Sequence, residues 1–277
     1  MKIKTWVISG LVYLTIVVVG YAVITGNSVI DGGDHGEHEA HEAQAAEIEE
    51  ENDMNEHAHH NHHGSTESEV EVIVDQNDQQ ITVTVQDADG NAPALAVHHE
   101  KEMHMIAVSN DLATYHHLHP ERVEDGVYKV DHSFAPGTYR IFVDISPEHL
   151  GYKPEPIDVQ VGDVMTSEAN LTPDADLVKS VDGKEVELEI DGLQSGDVTT
   201  LTFNSEEQDT LEPYLGALGH VVVIDEAGEQ FIHVHPVADD ETVFEAHFDQ
   251  PGKYKLWAEF KFEDAGVIAF PYVIDVQ

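Results

Sequence analysis

Two stretches of the chain space their histidines identically. "HMIAVSNDLATYHHLHP" starts at His104 and "HVVVIDEAGEQFIHVHP" at His220, and both read His-x12-His-x-His-Pro. His104 aligns with His220, His117 with His233 and His119 with His235, without a gap. Three neutral imidazoles converging on one point suit Cu2+ or Zn2+, with a carboxylate or water completing the shell. The chain holds no cysteine. Thiolate zinc sites, disulfides and thiol nucleophiles are therefore excluded, and any metal chemistry rests on His, Asp, Glu and Met.

Hairpins would have to position these side chains. "SNDLAT" and "DEAGEQ" read as loops between antiparallel strands, which sets Val108 opposite Tyr115 and Ile224 opposite Phe231. In that register His104 faces His119 and His220 faces His235. Residues two apart on a strand share a face, so His117 and His233 join them. The same face carries Ile106, Val108 and Tyr115, or Val222, Ile224 and Phe231. The competing reading is therefore a set of half-buried histidines hydrogen-bonded to backbone. Met103 and Met105 flank His104 and are expected in the core. His132 and His247 each stand five residues before the glycine of a Pro-Gly turn and are weaker ligand candidates. Their strand reverses direction and should carry them toward the hairpin loop. His98, His99, His116 and His149 have no counterparts in the second half and are expected at the surface, although His98 and His99 lie close enough to His104 to supply a fourth ligand.

The duplication extends past the histidines. "HSFAPGTYRIFVDI" aligns with "HFDQPGKYKLWAEF", matching Pro136-Gly137 with Pro251-Gly252, as a duplicated module would. Seven β-branched or aromatic runs precede residue 166 and seven follow residue 176, separated by turn signals. This predicts an all-β chain of tandem sandwiches, Ig-like or cupredoxin-like, over 70–165 and 177–277, joined by a polar linker at 166–176.

Upstream, Trp6 to Ile24 is apolar behind Lys2 and Lys4, with no further charge until Asp31. Nineteen residues span about 28 Å as a helix, the thickness of a bilayer's hydrocarbon core. Residues 1–30 are expected to form a transmembrane anchor, with a cleaved signal peptide as the alternative. The positive-inside rule then places the remainder outside the cell, at a surface of Gram-positive type; a cleaved segment would leave the protein secreted. Residues 31–69 hold 13 acids, no Lys or Arg, and eight histidines: His35, His38, His41, His57, His59, His60, His62 and His63. Such a stretch cannot bury enough apolar surface to order itself, and reads as a disordered tether that binds metal loosely. The formal charge of −43 repels nucleic acid, attracts cations and suits a high-salt setting.

"EKEMHMIAVSNDLATYHHLHP" with "FAPGTYRIFVDISPE", and "LEPYLGALGHVVVIDEAGEQFIHVHP" with "FDQPGKYKLWAEF", resemble membrane-anchored or secreted bacterial proteins with His-rich Ig-like or YtkA-like domains. The resemblance implies an extracytoplasmic β-sandwich and, through association with copper-handling proteins, a metal role. "HVH" on a strand also resembles the copper-ligand strand of copper/zinc superoxide dismutases. The cysteine pair, zinc loop and active-site arginine of those enzymes are missing. No G-x-S-x-G, P-loop or G-x-G-x-x-G is present, and the chain is not expected to be an enzyme. The sequence points to an anchored protein that buffers, sequesters or delivers Cu2+ or Zn2+, with metal ions, the membrane and a metal transporter as partners. The alternative is a structural or interaction module whose folded domains hold no metal.

Overall fold

The computed structural model describes residues 68–77, 79–206 and 210–277, apart from the side chains of His233 and His235. The predicted anchor (1–30) and the tether up to residue 67, with its eight histidines, lie outside the described residues. No helix among the described residues is long and apolar enough to cross a membrane.

Both repeats are two-layered and built of antiparallel strands. In repeat 1, β1 (Val70–Gln76), β2 (Gln80–Asp87), β7 (Val127–Asp131) and β6 (Glu121–Glu124) form one sheet in that order. The second sheet runs β3 (Leu95–Ala96), β8 (Gly137–Pro147), β4 (Met103–Ser109), β5 (Tyr115–Leu118), with β9 (Ile157–Val161) also on β8. Strand alternation sets the inner layer: Ile81, Val83 and Val85 of β2 pack against Met103, Met105 and Ala107 of β4 and Ile141 and Val143 of β8. Met103 and Met105 thus occupy the core, as expected.

Repeat 2 uses β11 (Lys184–Asp191), β12 (Val198–Asn204), β13 (Leu211–Glu212), β14 (Gly219–Asp225), β15 (Phe231–Pro236), β16 (Val243–His247), β17 (Gly252–Phe262) and β18 (Gly266–Val276). An additional strand, β10 (Val178–Val181), pairs with β11. Its two layers are continuous. β15 pairs with β14 through Val234 and then with β16 through His235 and Pro236, so the chain changes sheet at His-x-His-Pro. The same crossing separates β5 from β6 in repeat 1, between Leu118 and Glu121. A proline fits there because it has no N–H to contribute to a ladder.

β4 is buried along its whole length and β14 along nearly all of it, because both faces of each are covered. Odd-numbered β4 residues fill their own sandwich, whereas Ile106 and Val108 join Val222, Ile224, Phe142, Trp257, Leu112 and Leu171 in a third core between the repeats. That junction is self-complementary. Tyr115 stacks on Trp257 at 4.8 Å and Phe231 on Phe142 at 5.4 Å, and these two pairs correspond in the repeat alignment. Lys255 Nζ donates to the Leu112 carbonyl at 2.6 Å. The matching contact sets Arg140 against Gly228, where an added Cβ would lie 2.5 Å from Nη1. An isologous contact has this form, with i meeting j and j meeting i.

The linker at 166–176 contains no strand and is bound to repeat 2. Leu171 N–H donates to Glu226 Oε1 at 2.7 Å, Lys253 Nζ to the Leu171 carbonyl at 2.8 Å, and Val273 N–H to Asp174 Oδ2 at 2.7 Å.

A candidate metal centre at the junction of the repeats

The hairpin registers are those expected from the sequence: Val108 pairs with Tyr115, Ile106 with His117, and Ile224 with Phe231. With even-numbered β4 residues turned to the junction, His104 lies there, 4% exposed, and β5 brings His117 beside it. His119 follows where the chain leaves the sheet. The rings of His104 and His117 are 5.3 Å apart, those of His104 and His119 5.0 Å, and those of His117 and His119 4.6 Å. One ring nitrogen of each lies within 4.8 Å of the other two. Ligation of a tetrahedral ion at about 2.0–2.1 Å needs nitrogens some 3.3 Å apart, so modest ring movements close the shell.

Hydrogen-bond partners fix which nitrogens face inward. His104 Nε2 lies 3.0 Å from the His98 carbonyl oxygen, which only accepts, so Nε2 carries the proton. His117 Nδ1 lies 2.6 Å from Glu259 Oε2, and again the imidazole donates. Neutral rings so oriented turn two lone pairs, His104 Nδ1 and His117 Nε2, toward each other across 3.1 Å. That contact is repulsive unless a proton or a cation lies between them. Beside it, His119 Nε2 is buried with no hydrogen-bond partner. Burial, reinforced by His117 and His104, pushes the His119 pKa down to about 3, which keeps its lone pair available. The set fits a soft-to-borderline dication: three imidazoles, two with their outer nitrogens anchored as metal-ligating histidines usually are.

Glu259 was not anticipated from the sequence. It sits on β17 of repeat 2, 5% exposed, opposite His220 in the β14–β17 ladder, and reaches across the junction to His117 of repeat 1. Asp144 occupies the corresponding place opposite His104. An acid at the same register in both copies was the available signal. Glu259 also raises the pKa of nearby Tyr115 and Tyr214, second to burial in each case, the latter to about 12. The buried Tyr115 hydroxyl makes no hydrogen bond of good geometry.

Each repeat anchors its first histidine with a tight turn. His98 and Lys101 exchange backbone hydrogen bonds around His99 and Glu100, both at positive φ; Tyr214 and Ala217 do so around Leu215 and Gly216. The first carbonyl of each turn also accepts from the imidazole: His98 from His104, and Tyr214 from His220 Nε2 at 2.9 Å. His220, 4% exposed, lies with its ring 6.5 Å from His104, 6.2 Å from His117 and 5.0 Å from His99. His220 of repeat 2 therefore lies beside the imidazole group of repeat 1.

The other predicted histidines are dispersed. His98 contributes its carbonyl, and the His99 ring lies beside His220. His132 packs on His116 at 4.6 Å and Phe134 at 4.8 Å, outside the three-imidazole group, with Nε2 buried and unpartnered. His116 is half-buried rather than a surface residue, because even-numbered β5 residues turn away from the junction. His247 is exposed on β16, opposite Val198. His149 is in a turn at positive φ. The side chains of His233 and His235 fall outside the described residues.

The fold and this centre define a tandem β-sandwich chain with an imidazole cluster at the repeat junction. The chain belongs to a family described as a domain of unknown function, DUF8832, matched twice, over residues 55–154 and 179–277. No curated protein matches it. Among solved structures it is similar to the Escherichia coli adhesin FdeC, at 14% identity and TM-score 0.23, covering 76% of this chain and 64% of that one. A two-domain fibronectin type III segment of chicken tenascin matches at 10% identity and TM-score 0.23, over 74% of this chain and 97% of that one. The chain thus spans less than two thirds of FdeC, and similarity at this level carries no functional argument.

Proposed function

We propose that this protein is an extracytoplasmic metal-binding protein, anchored by residues 1–30 and tethered by 31–69, that buffers, sequesters or hands on Cu2+ or Zn2+. The Ig-like or cupredoxin-like kinship of its sandwiches belongs to the same proposal, as do cation capture by the tether histidines, delivery to a metal transporter and a non-enzymatic role. The observation that carries the reading is the pair of inward-facing acceptor nitrogens of His104 and His117, 3.1 Å apart, beside the unpartnered His119 Nε2. A dication satisfies all three together. His220, His233 and His235 form the proposed counterpart in repeat 2, on the strength of the repeat alignment. Imidazole sites take Cu2+ more tightly than Zn2+, so the ion carried depends on supply as well as affinity.

A second reading is favoured by the apolar junction around the histidines: a proton takes the ion's place and the cluster serves only to join the repeats. Titration of the full chain in detergent with Zn2+ and Cu2+, its eight tether histidines replaced by asparagine, separates the two. The metal reading predicts tight binding to the folded repeats and the loss of one tight equivalent in His119→Ala, about a hundredfold or more in affinity. Binding that vanishes with the tether histidines, or is indifferent to His119→Ala, supports the second reading.

A further inference from the structure

We propose that the centre of repeat 1 is completed by repeat 2, so that an ion held by His104, His117 and His119 clasps the two repeats together through Glu259. This rests on the metal reading and adds a conformational consequence to it. Glu259 belongs to β17, on the far side of the junction, and is almost wholly buried. It is the acceptor for His117 Nδ1–H, at 2.6 Å. A ligating histidine that donates its second N–H to a carboxylate is oriented by that bond and made more basic. The coupling runs both ways: an ion on Nε2 polarises the ring and makes Nδ1–H a stronger donor to Glu259, while Glu259 holds the ring for the ion.

The neighbourhood supports a shared centre. Along β4 and β14 the faces that carry His104 and His220 are the same faces that carry the apolar junction. The His220 ring lies within 6.5 Å of both His104 and His117. Parting the repeats would leave His117 without its orienting partner. Metal loading then sets how firmly the repeats are joined, a difference that a partner protein can read.

The test is hydrogen exchange of the full chain with and without Zn2+, with its eight tether histidines replaced by asparagine and in a background carrying His233→Ala and His235→Ala, so that repeat 2 has no complete set of its own. The expected result is slower exchange on both sides of the junction, in β4 and β5 and also in β14 and β17. Glu259→Gln keeps the shape and an acceptor oxygen but removes the charge. It is expected to bind Zn2+ about tenfold more weakly, to confine protection to repeat 1, and to shift the d–d absorption of bound Co2+. Glu259→Asp restores the carboxylate and serves if the glutamine variant is unstable, with intermediate affinity expected. Zinc bound with protection confined to β4 and β5, or a glutamine variant that protects repeat 2 as fully as its parent, overturns the clasp and leaves the metal reading standing. Absence of bound Zn2+ and of bound Cu2+ in the same background overturns both.

Discussion

Burial keeps His119 neutral in the folded protein, with a pKa near 3 against about 6.5 for an unperturbed imidazole. His116 and His132 are also lowered, chiefly by burial. The sign follows from proton counting. Below about pH 6.5 the unfolded chain takes up protons that these rings refuse when folded, so stability falls as pH falls. For His119 the loss continues until pH nears 3. Denaturant unfolding of the metal-free protein at pH 7, 6 and 5 should show this decline, and His119→Asn should flatten it. Unchanged pH dependence in that variant would mean that His119 is not buried neutral.

At the scale of elements, the two-residue turn preceding each first histidine carries the anchoring carbonyl. Repeat 2 places Gly216 at its second position, where repeat 1 holds Glu100 at φ 64°, a region that penalises a Cβ. Glu100→Gly should therefore stabilise the protein by about 1 kcal/mol, raising Tm by roughly 2–4 °C. Calorimetry that shows a lower Tm would refute the strain. Fourteen of the eighteen strands among the described residues and both hairpin registers were legible in the sequence, because β-branched or aromatic runs and turn residues agree along these stretches. The strands Leu95–Ala96, Glu121–Glu124, Val178–Val181 and Leu211–Glu212 were not, being two to four residues long and without a β-branched or aromatic run to mark them. Nor was the junction. Yet "MHMIAVS" lacks the polar alternation of a half-exposed strand, and His104 stands on a face that had to be covered. Glu259 escaped because an acid in "WAEFKF" looks solvent-facing until its partner strand is known.

For the molecule as a whole, the junction is both an apolar core and the wall of the imidazole site, so the two should fail together. Trp257, 3% exposed and stacked on Tyr115, should cost about 3–5 kcal/mol when replaced by alanine, and zinc affinity should fall with it although Trp257 is no ligand. Equal affinity in Trp257→Ala would separate the site from the junction. An ion held only by the folded state adds RT ln(1 + [L]/Kd), about 2.7 kcal/mol at a hundredfold excess over Kd, and Tm should rise accordingly with Zn2+. The most direct test of the central claim is X-ray absorption at the zinc edge, on the full chain with its tether histidines replaced by asparagine, His233→Ala and His235→Ala, and one equivalent of Zn2+. The account predicts three imidazole nitrogens at about 2.0–2.1 Å and one oxygen ligand, falling to two imidazoles in His119→Ala. A shell of oxygen ligands without imidazole, or the same spectrum in both proteins, would contradict it.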